Sequence, residues 1–138
     1  YQLAQASVAT SRVCAGRVGR ELDLRPVEFT VLALVHRNPD TTARQLARAL
    51  AVTPPNIALW VERLVARGLI SRQRSTQDAR MQHIRVTRAG KALAETAAQR
   101  LIEGEQAALT ALSAAERAML IELLHKLAVA RPRPGGAV

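Results

Sequence analysis

In the first part of this chain the apolar residues recur three or four positions apart, which is the spacing of one face of a helix. Residues 1–20 carry only a thin stripe of this kind and predict a weakly apolar helix. A second helix is predicted from Pro26, because proline is favoured in the first turn, to a point just before Pro39. Four residues are expected to face inward from this second helix: Phe29, Leu32, Ala33 and His36.

A short third helix is predicted from a capping box. Thr42 and Gln45 have the required spacing, and the apolar positions that follow end near Leu50. Ala51 and Val52 then form a tight connection. If the φ of Ala51 is positive in this turn, its Cβ atom costs about 1 kcal/mol of strain.

A fourth helix is predicted to begin after Thr53 as its cap, with Pro54 at its first position, and to end at Gly68. Its inward residues are Ile57, Trp60, Val61 and Leu64, so Trp60 is expected in the core. Its outward residues are Pro55, Asn56, Leu59 and Arg63. Two helices joined so closely form a helix-turn-helix, whose second helix can enter the major groove of DNA.

The period then changes from that of a helix to that of a strand. Residues 69–74 and 82–87 alternate between apolar and polar and predict two strands, and the polar residues 75–80 between them predict the loop of a β-hairpin. Such a hairpin after a helix-turn-helix makes a winged helix. Arg80, near the tip of the wing, can then lie along or in the adjacent minor groove.

Two further helices are predicted after the hairpin. Residues 87–112 are rich in alanine and contain no proline, which predicts a long helix. Ser113 and Glu116 form a second capping box and open a last helix, whose broad apolar band consists of Met119, Leu120, Leu123, Leu124 and Leu127. Residues 131–138 hold two prolines and two glycines and predict a loose tail.

The whole pattern predicts one mainly α-helical domain, residues 1–138, with a small two- or three-stranded β-wing. Residues 24–90 form the winged lobe in this interpretation. The terminal helices, residues 1–23 and 91–130, have apolar faces that the lobe alone cannot cover. We expect the same faces of a second copy to cover them, so that a homodimer places two recognition helices about 34–36 Å apart on one face of a palindromic duplex.

The charge of the chain is concentrated in residues 41–90. This stretch holds nine of the 20 basic and two of the 11 acidic residues, a net charge of +7 out of +9 for the chain. Such an imbalance is typical of a surface that meets a polyanion, here double-stranded DNA. The residues predicted to bind DNA are Thr53, Pro54, Pro55, Asn56, Leu59, Arg63, Arg72, Arg74, Asp78 and Arg80.

Other readings of single residues stay open. Arg63 and Arg67 can contact phosphates or bases, or can simply be solvated on the helix surface. Asn56 can face the groove or only order the first helical turn. Asp78 is expected to organise the wing through Arg74 or Arg80 rather than to touch DNA.

Several function classes lack their signatures. One cysteine allows neither an internal disulfide nor a cysteine zinc site, and the three histidines lack metal spacing, so no metal or cofactor is expected. No nucleophile elbow, phosphate-binding glycine loop or paired-carboxylate site indicates an enzyme. The longest aliphatic run, Val31 to Val35, is too short for a membrane span, and no signal-peptide pattern is present, so a cytoplasmic protein is expected.

The residues resemble those of the MarR family of bacterial winged helix-turn-helix transcriptional regulators. Three groups carry the resemblance: Leu46-Ala47; Val61-Glu62-Arg63-Leu64 with Arg67-Gly68-Leu69-Ile70 and Arg72; and Asp78-Ala79-Arg80 with Ile84, Val86 and Thr87-Arg88-Ala89-Gly90. The resemblance implies that Asp78 and Arg80 hold the wing and touch the minor groove, and that Thr87 caps the following helix. Ala58 and Leu59 depart from the polar or basic pair that many relatives place against bases.

The resemblance further implies a homodimeric repressor whose small effector, often an aromatic acid or a phenolic compound, binds between the dimer helices and the winged lobe. The pocket candidates are Arg12, Arg17 and His36. Two alternatives remain. One is a redox-sensing regulator that uses Cys14, although a small buried residue at a helix interface fits that position better. The other is a winged helix that binds proteins instead of DNA.

Overall fold

A computed structural model describes residues 1–74 and 81–130 of the chain. The wing tip with Asp78 and Arg80, and the predicted loose tail, lie outside the described residues. The elements in chain order are α1 (Gln2–Val13), a π-helical segment (Cys14–Arg20), α2 (Pro26–Arg37), α3 (Ala43–Leu50), α4 (Pro54–Ala66), β1 (Ile70–Arg74), β2 (Gln82–Val86), α5 (Arg88–Ala108) and α6 (Ala114–Val129). The predicted mainly α-helical winged fold is confirmed.

The two strands pair antiparallel, with Ile70 opposite Val86 and Arg74 opposite Gln82. A third segment adds one isolated bridge, in which the Ile84 N–H donates to the Thr41 carbonyl at 2.7 Å. The base of the wing is thereby attached to the chain between α2 and α3.

The core lies where α2, α4, the hairpin and α5 meet, and it is built of aliphatic side chains. Its fully buried large residues are Leu24, Leu32, Leu46, Ile57, Leu64, Ile70, Val18, Val31, Val35 and Val61. Trp60, which was expected in the core, is half-buried and packs against this cluster.

The predicted capping boxes are confirmed. The Gln45 N–H donates to the Thr42 hydroxyl at 3.2 Å, and the Gln45 side-chain oxygen accepts from the Thr42 N–H at 2.8 Å. Ser113 and Glu116 repeat this arrangement at the start of α6, at 3.3 and 2.8 Å. Local sequence therefore sets where both helices begin.

Thr53 holds the cap position of α4, but its hydroxyl makes no capping hydrogen bond, contrary to the prediction. Its carbonyl instead accepts from the N–H of Asn56 at 3.1 Å and of Ile57 at 3.3 Å. Pro54 and Pro55 have no N–H to cap, and the Asn56 N–H is already taken by the Thr53 carbonyl; the side chain of Thr53 is exposed at the helix start.

The first predicted helix is not uniformly α-helical, because residues 14–20 adopt the wider π form. Gly16 and Gly19 lie in this stretch, and α5 packs closely beside it.

A Cβ atom on Gly104 of α5 would lie 2.4 Å from Cγ1 of Val13. The contact between the two helices thus requires a residue without a side chain at position 104.

The long helix α5 ends at Ala108, four residues earlier than predicted. A turn follows, in which the Leu112 N–H donates to the Leu109 carbonyl at 3.1 Å. The chain must reverse before Ser113 can cap α6, and this reversal uses the residues predicted to be helical.

The inward face of α2 differs from the predicted one. Leu32 is buried as expected, but Phe29, Ala33 and His36 are only half-buried. The other buried positions are Glu28, Val31 and Val35. Helix α2 therefore turns a carboxylate toward the interior, which the apolar spacing alone did not indicate.

Candidate DNA-binding surface

The first turn of α4 forms an exposed surface. Thr53, Pro54, Pro55 and Asn56 are all exposed, whereas Ile57 in the next position is fully buried. One turn further along, Leu59 is 47 % exposed, a large value for an apolar side chain. The structure therefore places five of the predicted DNA-binding residues together on the solvent side of one helix.

Four arginines of the winged unit are exposed and have no acidic partner within the part of the chain that the structure describes: Arg44, Arg48, Arg74 and Arg88. Arg44 and Arg48 lie one turn apart on α3 and are exposed, whereas Leu46 and Ala47 of the same helix are buried. Arg74 ends β1, where the hairpin opens toward the wing tip. These guanidinium groups are available to phosphates.

Arg63 and Arg67 instead have a common intramolecular partner. Their Nη1 atoms each lie 3.9 Å from a carboxylate oxygen of Glu28, whose side chain is only 6 % exposed. Arg67 also donates to the Asp23 carbonyl at 2.6 Å. Sequence reasoning missed this cluster, although Glu28 in the third position of α2 is a known place for a capping carboxylate.

The remaining strand arginines are also paired. Arg72 lies 3.9 Å from Glu62 on α4, with both side chains well exposed, so this ion pair contributes little. Arg85 of β2 is hydrogen-bonded to Asp40, and the Arg85 guanidinium holds the pKa of that carboxyl below its ordinary value. His83 Nδ1 lies 2.6 Å from the Asp40 carbonyl oxygen. Residues of β2 thus fix the chain between α2 and α3 against the base of the wing.

A shallow cleft of about 400 Å³ lies between the π-helical segment and α5. It is lined by Arg12, Val13, Gly16, Arg17, Arg20, Glu21, Gly104 and Ala107. Two of the three predicted effector residues, Arg12 and Arg17, therefore share one cavity. His36 is not part of it, because its Nε2 faces Glu95 of α5 at 3.8 Å.

Cys14 lies half-buried in the π-helical segment. Burial raises the pKa of its thiol, and the nearby Glu105 carboxylate raises it further. The thiolate, which is the reactive form, is therefore less populated than for a solvated cysteine. This environment favours the packing role over redox sensing.

Helix α6 has no buried residue. Its exposed apolar side chains include Met119, Ile121, Leu123, Leu124, Leu127 and Val129, from 43 to 70 % exposed. Leu3 and Val8 of α1 are exposed as well. A helix of 16 residues that buries none of its side chains within the described part of the chain is marginal in water by itself, and such an apolar face is typical of a contact surface.

Residues 1–74 and 81–130 contain neither a cluster of metal ligands nor a helix that could span a membrane. Within that part of the chain, no three His, Cys, Asp or Glu side chains are grouped as metal ligands. Each of the described helices is too short or too polar to cross a membrane.

The chain is similar to several known regulators. The sequence model of the MarR family matches residues 24–81. A probable transcriptional regulator from Pseudomonas aeruginosa is 30 % identical, with 91 % of this chain and 92 % of that chain covered at a TM-score of 0.76. A mutant MarR from E. coli complexed with operator DNA is 25 % identical, with 91 % and 90 % covered and a TM-score of 0.76. PcaV from Streptomyces coelicolor, in complex with its natural ligand, is 25 % identical, with 94 % and 89 % covered and a TM-score of 0.73.

Proposed function

Since the chain belongs to the MarR family of transcription regulators, we propose that it is a repressor that binds a palindromic operator as a homodimer and releases it when a small anion binds. The family regulates transcription and does not consist of enzymes. An operator complex is known for the similar MarR protein, and a ligand complex for the similar PcaV.

One observation carries the DNA-binding proposal: an exposed recognition-helix start lies in the same lobe as four arginines with no described acidic partner. Thr53, Asn56 and Leu59 offer a hydroxyl, an amide and an apolar group to base edges in the major groove. Arg44, Arg48, Arg74 and Arg88 offer charge to phosphates. A helix-turn-helix that served only to bind another protein has no need of so many solvated arginines.

The homodimer is supported by the exposed apolar face of α6 and the exposed Leu3 and Val8 of α1. Both elements are terminal, so one isologous interface can bury them together in two copies. Such an interface places the two recognition helices at a fixed separation, as a palindrome requires.

An anionic effector is supported by the cleft between the π-helical segment and α5. Its lining includes three guanidinium groups, Arg12, Arg17 and Arg20, and one carboxylate, Glu21. Arg17 Nη1 lies 3.6 Å from Glu21 Oε1, so an incoming carboxylate can compete with Glu21 for Arg17. An aromatic acid fits this chemistry, because Val13, Gly104 and Ala107 supply an apolar wall.

The DNA-binding proposal is tested by selecting duplexes from a random pool with the purified protein and measuring the affinity of the selected site at several salt concentrations. Wild-type protein is expected to select an inverted repeat with a steep salt dependence. Arg74→Gln is expected to lower the magnitude of the slope of log K against log salt by about 0.9, the value for one phosphate contact. Lys126→Gln on α6 removes the same charge outside the lobe and is expected to leave the slope unchanged.

Failure to select any duplex at low salt would refute DNA binding and would support the protein-interaction alternative.

The effector proposal has its own test, titration of the protein–operator complex with benzoate and with uncharged benzamide. Benzoate alone is expected to release DNA, and Arg17→Gln is expected to abolish that release without changing affinity in its absence. Equal release by both compounds, or release by neither, would contradict an anion-binding cleft.

A further inference from the structure

A polar cluster joins the end of the recognition helix to the segment that precedes the winged lobe. Arg67 Nη1 donates to the Asp23 carbonyl at 2.6 Å and lies 3.9 Å from Glu28 Oε2. That same carboxylate oxygen accepts from the Arg25 N–H at 3.1 Å, and Glu28 is 4 % exposed. One guanidinium therefore contacts both the segment before α2 and the first turn of α2.

The segment that Arg67 contacts is itself fixed to the terminal helices. Glu21 is paired with Arg100 of α5. Leu24 is fully buried, and its N–H donates to the Val18 carbonyl at 3.4 Å. Between them Asp23 has a φ of +48°, which a residue other than glycine rarely adopts. Residues 21–24 are thus held in one shape against α5 and the π-helical segment.

The connection from the terminal helices to α4 therefore has few adjustable parts. It runs from Arg100 through Glu21 and Asp23 to Arg67, and the buried Glu28 carboxylate contacts both Arg67 and the Arg25 N–H. Arg63 approaches the other carboxylate oxygen, Oε1, at 3.9 Å, so α4 meets Glu28 through two guanidinium groups one turn apart. A carboxylate so little exposed favours these charged partners over water.

We propose that Arg67, acting with Glu28 and the Asp23 carbonyl, is a positioning residue that sets the angle of the recognition helix relative to the terminal helices and so selects the spacing of the two operator half-sites. This rests on the proposed function, since two half-sites require two copies on one duplex. Moving a half-site by one base pair rotates it by about 34° and shifts it by about 3.4 Å. A lobe held at one angle can therefore contact both half-sites at only one spacing between them.

The test is a parallel selection of random duplexes by the wild-type protein and by Arg67→Gln, followed by affinities for the selected repeat with its spacer lengthened or shortened by one base pair. For wild-type protein the change is expected to weaken binding about tenfold, and for Arg67→Gln by less than about threefold. Glu28→Gln keeps an oxygen for the Arg25 N–H but loses the charge that faces both arginines, and it is expected to relax the spacing preference in the same way.

Three controls separate positioning from other roles. Arg25→Gln removes one positive charge from the segment that Arg67 contacts but keeps the backbone N–H that donates to Glu28, and it is expected to retain the wild-type preference. Arg67→Lys keeps the charge but replaces the planar guanidinium, whose Nη1 reaches both partners, with a compact ammonium on a different stem, and it is expected to relax spacing. Thermal unfolding of each variant shows whether it is folded, and a variant that unfolds is replaced by the milder Arg67→Lys or Glu28→Gln.

The possible outcomes are distinct. Relaxed spacing with an unchanged salt slope supports the proposal. Folded Arg67→Gln and Glu28→Gln proteins that keep the wild-type spacing preference would overturn it, and so would a flattened salt slope at unchanged spacing, which would make Arg67 a phosphate contact. Wild-type protein that selects no duplex would refute the proposed function, and this inference with it.

Discussion

Ala51 occupies the turn between α3 and α4 in a left-handed conformation, with φ +52° and ψ +43°. The crowding of a Cβ atom against the following carbonyl in this conformation costs about 1–2 kcal/mol. Replacement by glycine removes this strain, although the greater conformational freedom of glycine in the unfolded chain lowers the stability by about 0.4–1 kcal/mol. Ala51 is exposed, and the turn is held by main-chain bonds such as Val52 N–H to the Ala47 carbonyl at 3.0 Å, which glycine keeps. Ala51→Gly is therefore expected to raise the free energy of unfolding by about 1 kcal/mol.

Urea unfolding at one fixed protein concentration measures this change, because stability depends on concentration when copies associate. At a slope near 2 kcal/mol per molar urea, the midpoint should rise by about 0.5 M. Ala92→Gly is the matched control, since Ala92 is exposed inside α5 and glycine there should lose about 1 kcal/mol. A midpoint for Ala51→Gly at or below that of the wild type, beside the expected fall for Ala92→Gly, would refute the strain argument. Operator affinity should be unchanged, because the turn already has its final shape.

Three other changes test separate features. Gly90→Ala places a Cβ atom 1.9 Å from the Leu69 carbonyl oxygen and is expected to lower the free energy of unfolding by about 3 kcal/mol; a loss below about 1 kcal/mol in urea unfolding would show that this joint can yield. The Arg85 guanidinium lowers the folded-state pKa of Asp40, so the stabilisation from this ion pair is present above about pH 4 and is lost as pH falls through the folded pKa. Asp40→Asn should therefore make the fall in melting temperature below pH 4 shallower. Parallel curves of melting temperature against pH for the two proteins would contradict a stabilising Asp40–Arg85 pair. Burial and Glu105 raise the pKa of the Cys14 thiol, so peroxide should leave operator binding unchanged in the wild type and in Cys14→Ser alike; a loss of binding that requires Cys14 would establish the redox alternative.

The sequence by itself determined the elements and most of their ends. Thr42, Ser113 and Gly68 mark helix boundaries through hydrogen bonds and dihedral angles within a few residues, and these are the same in any fold. The change of apolar period predicted the hairpin for the same reason. The basic charge of residues 41–90 and the exposed side of α4 could also be predicted, because a helix has only one face to bury.

The tertiary structure alone decided the contacts between distant residues. Arg67 resembled any other surface arginine of the lobe until the fold brought it to the Asp23 carbonyl, 44 positions away. Glu28 lies among polar and apolar neighbours whose spacing favoured a different inward face. Gly104 is required only because α5 passes within contact distance of Val13. Packing between helices and the pairing of buried charges depend on residues that are distant in sequence, so local preferences cannot predict them. Helix caps, turns and the apolar period are each set by residues within a single stretch of chain.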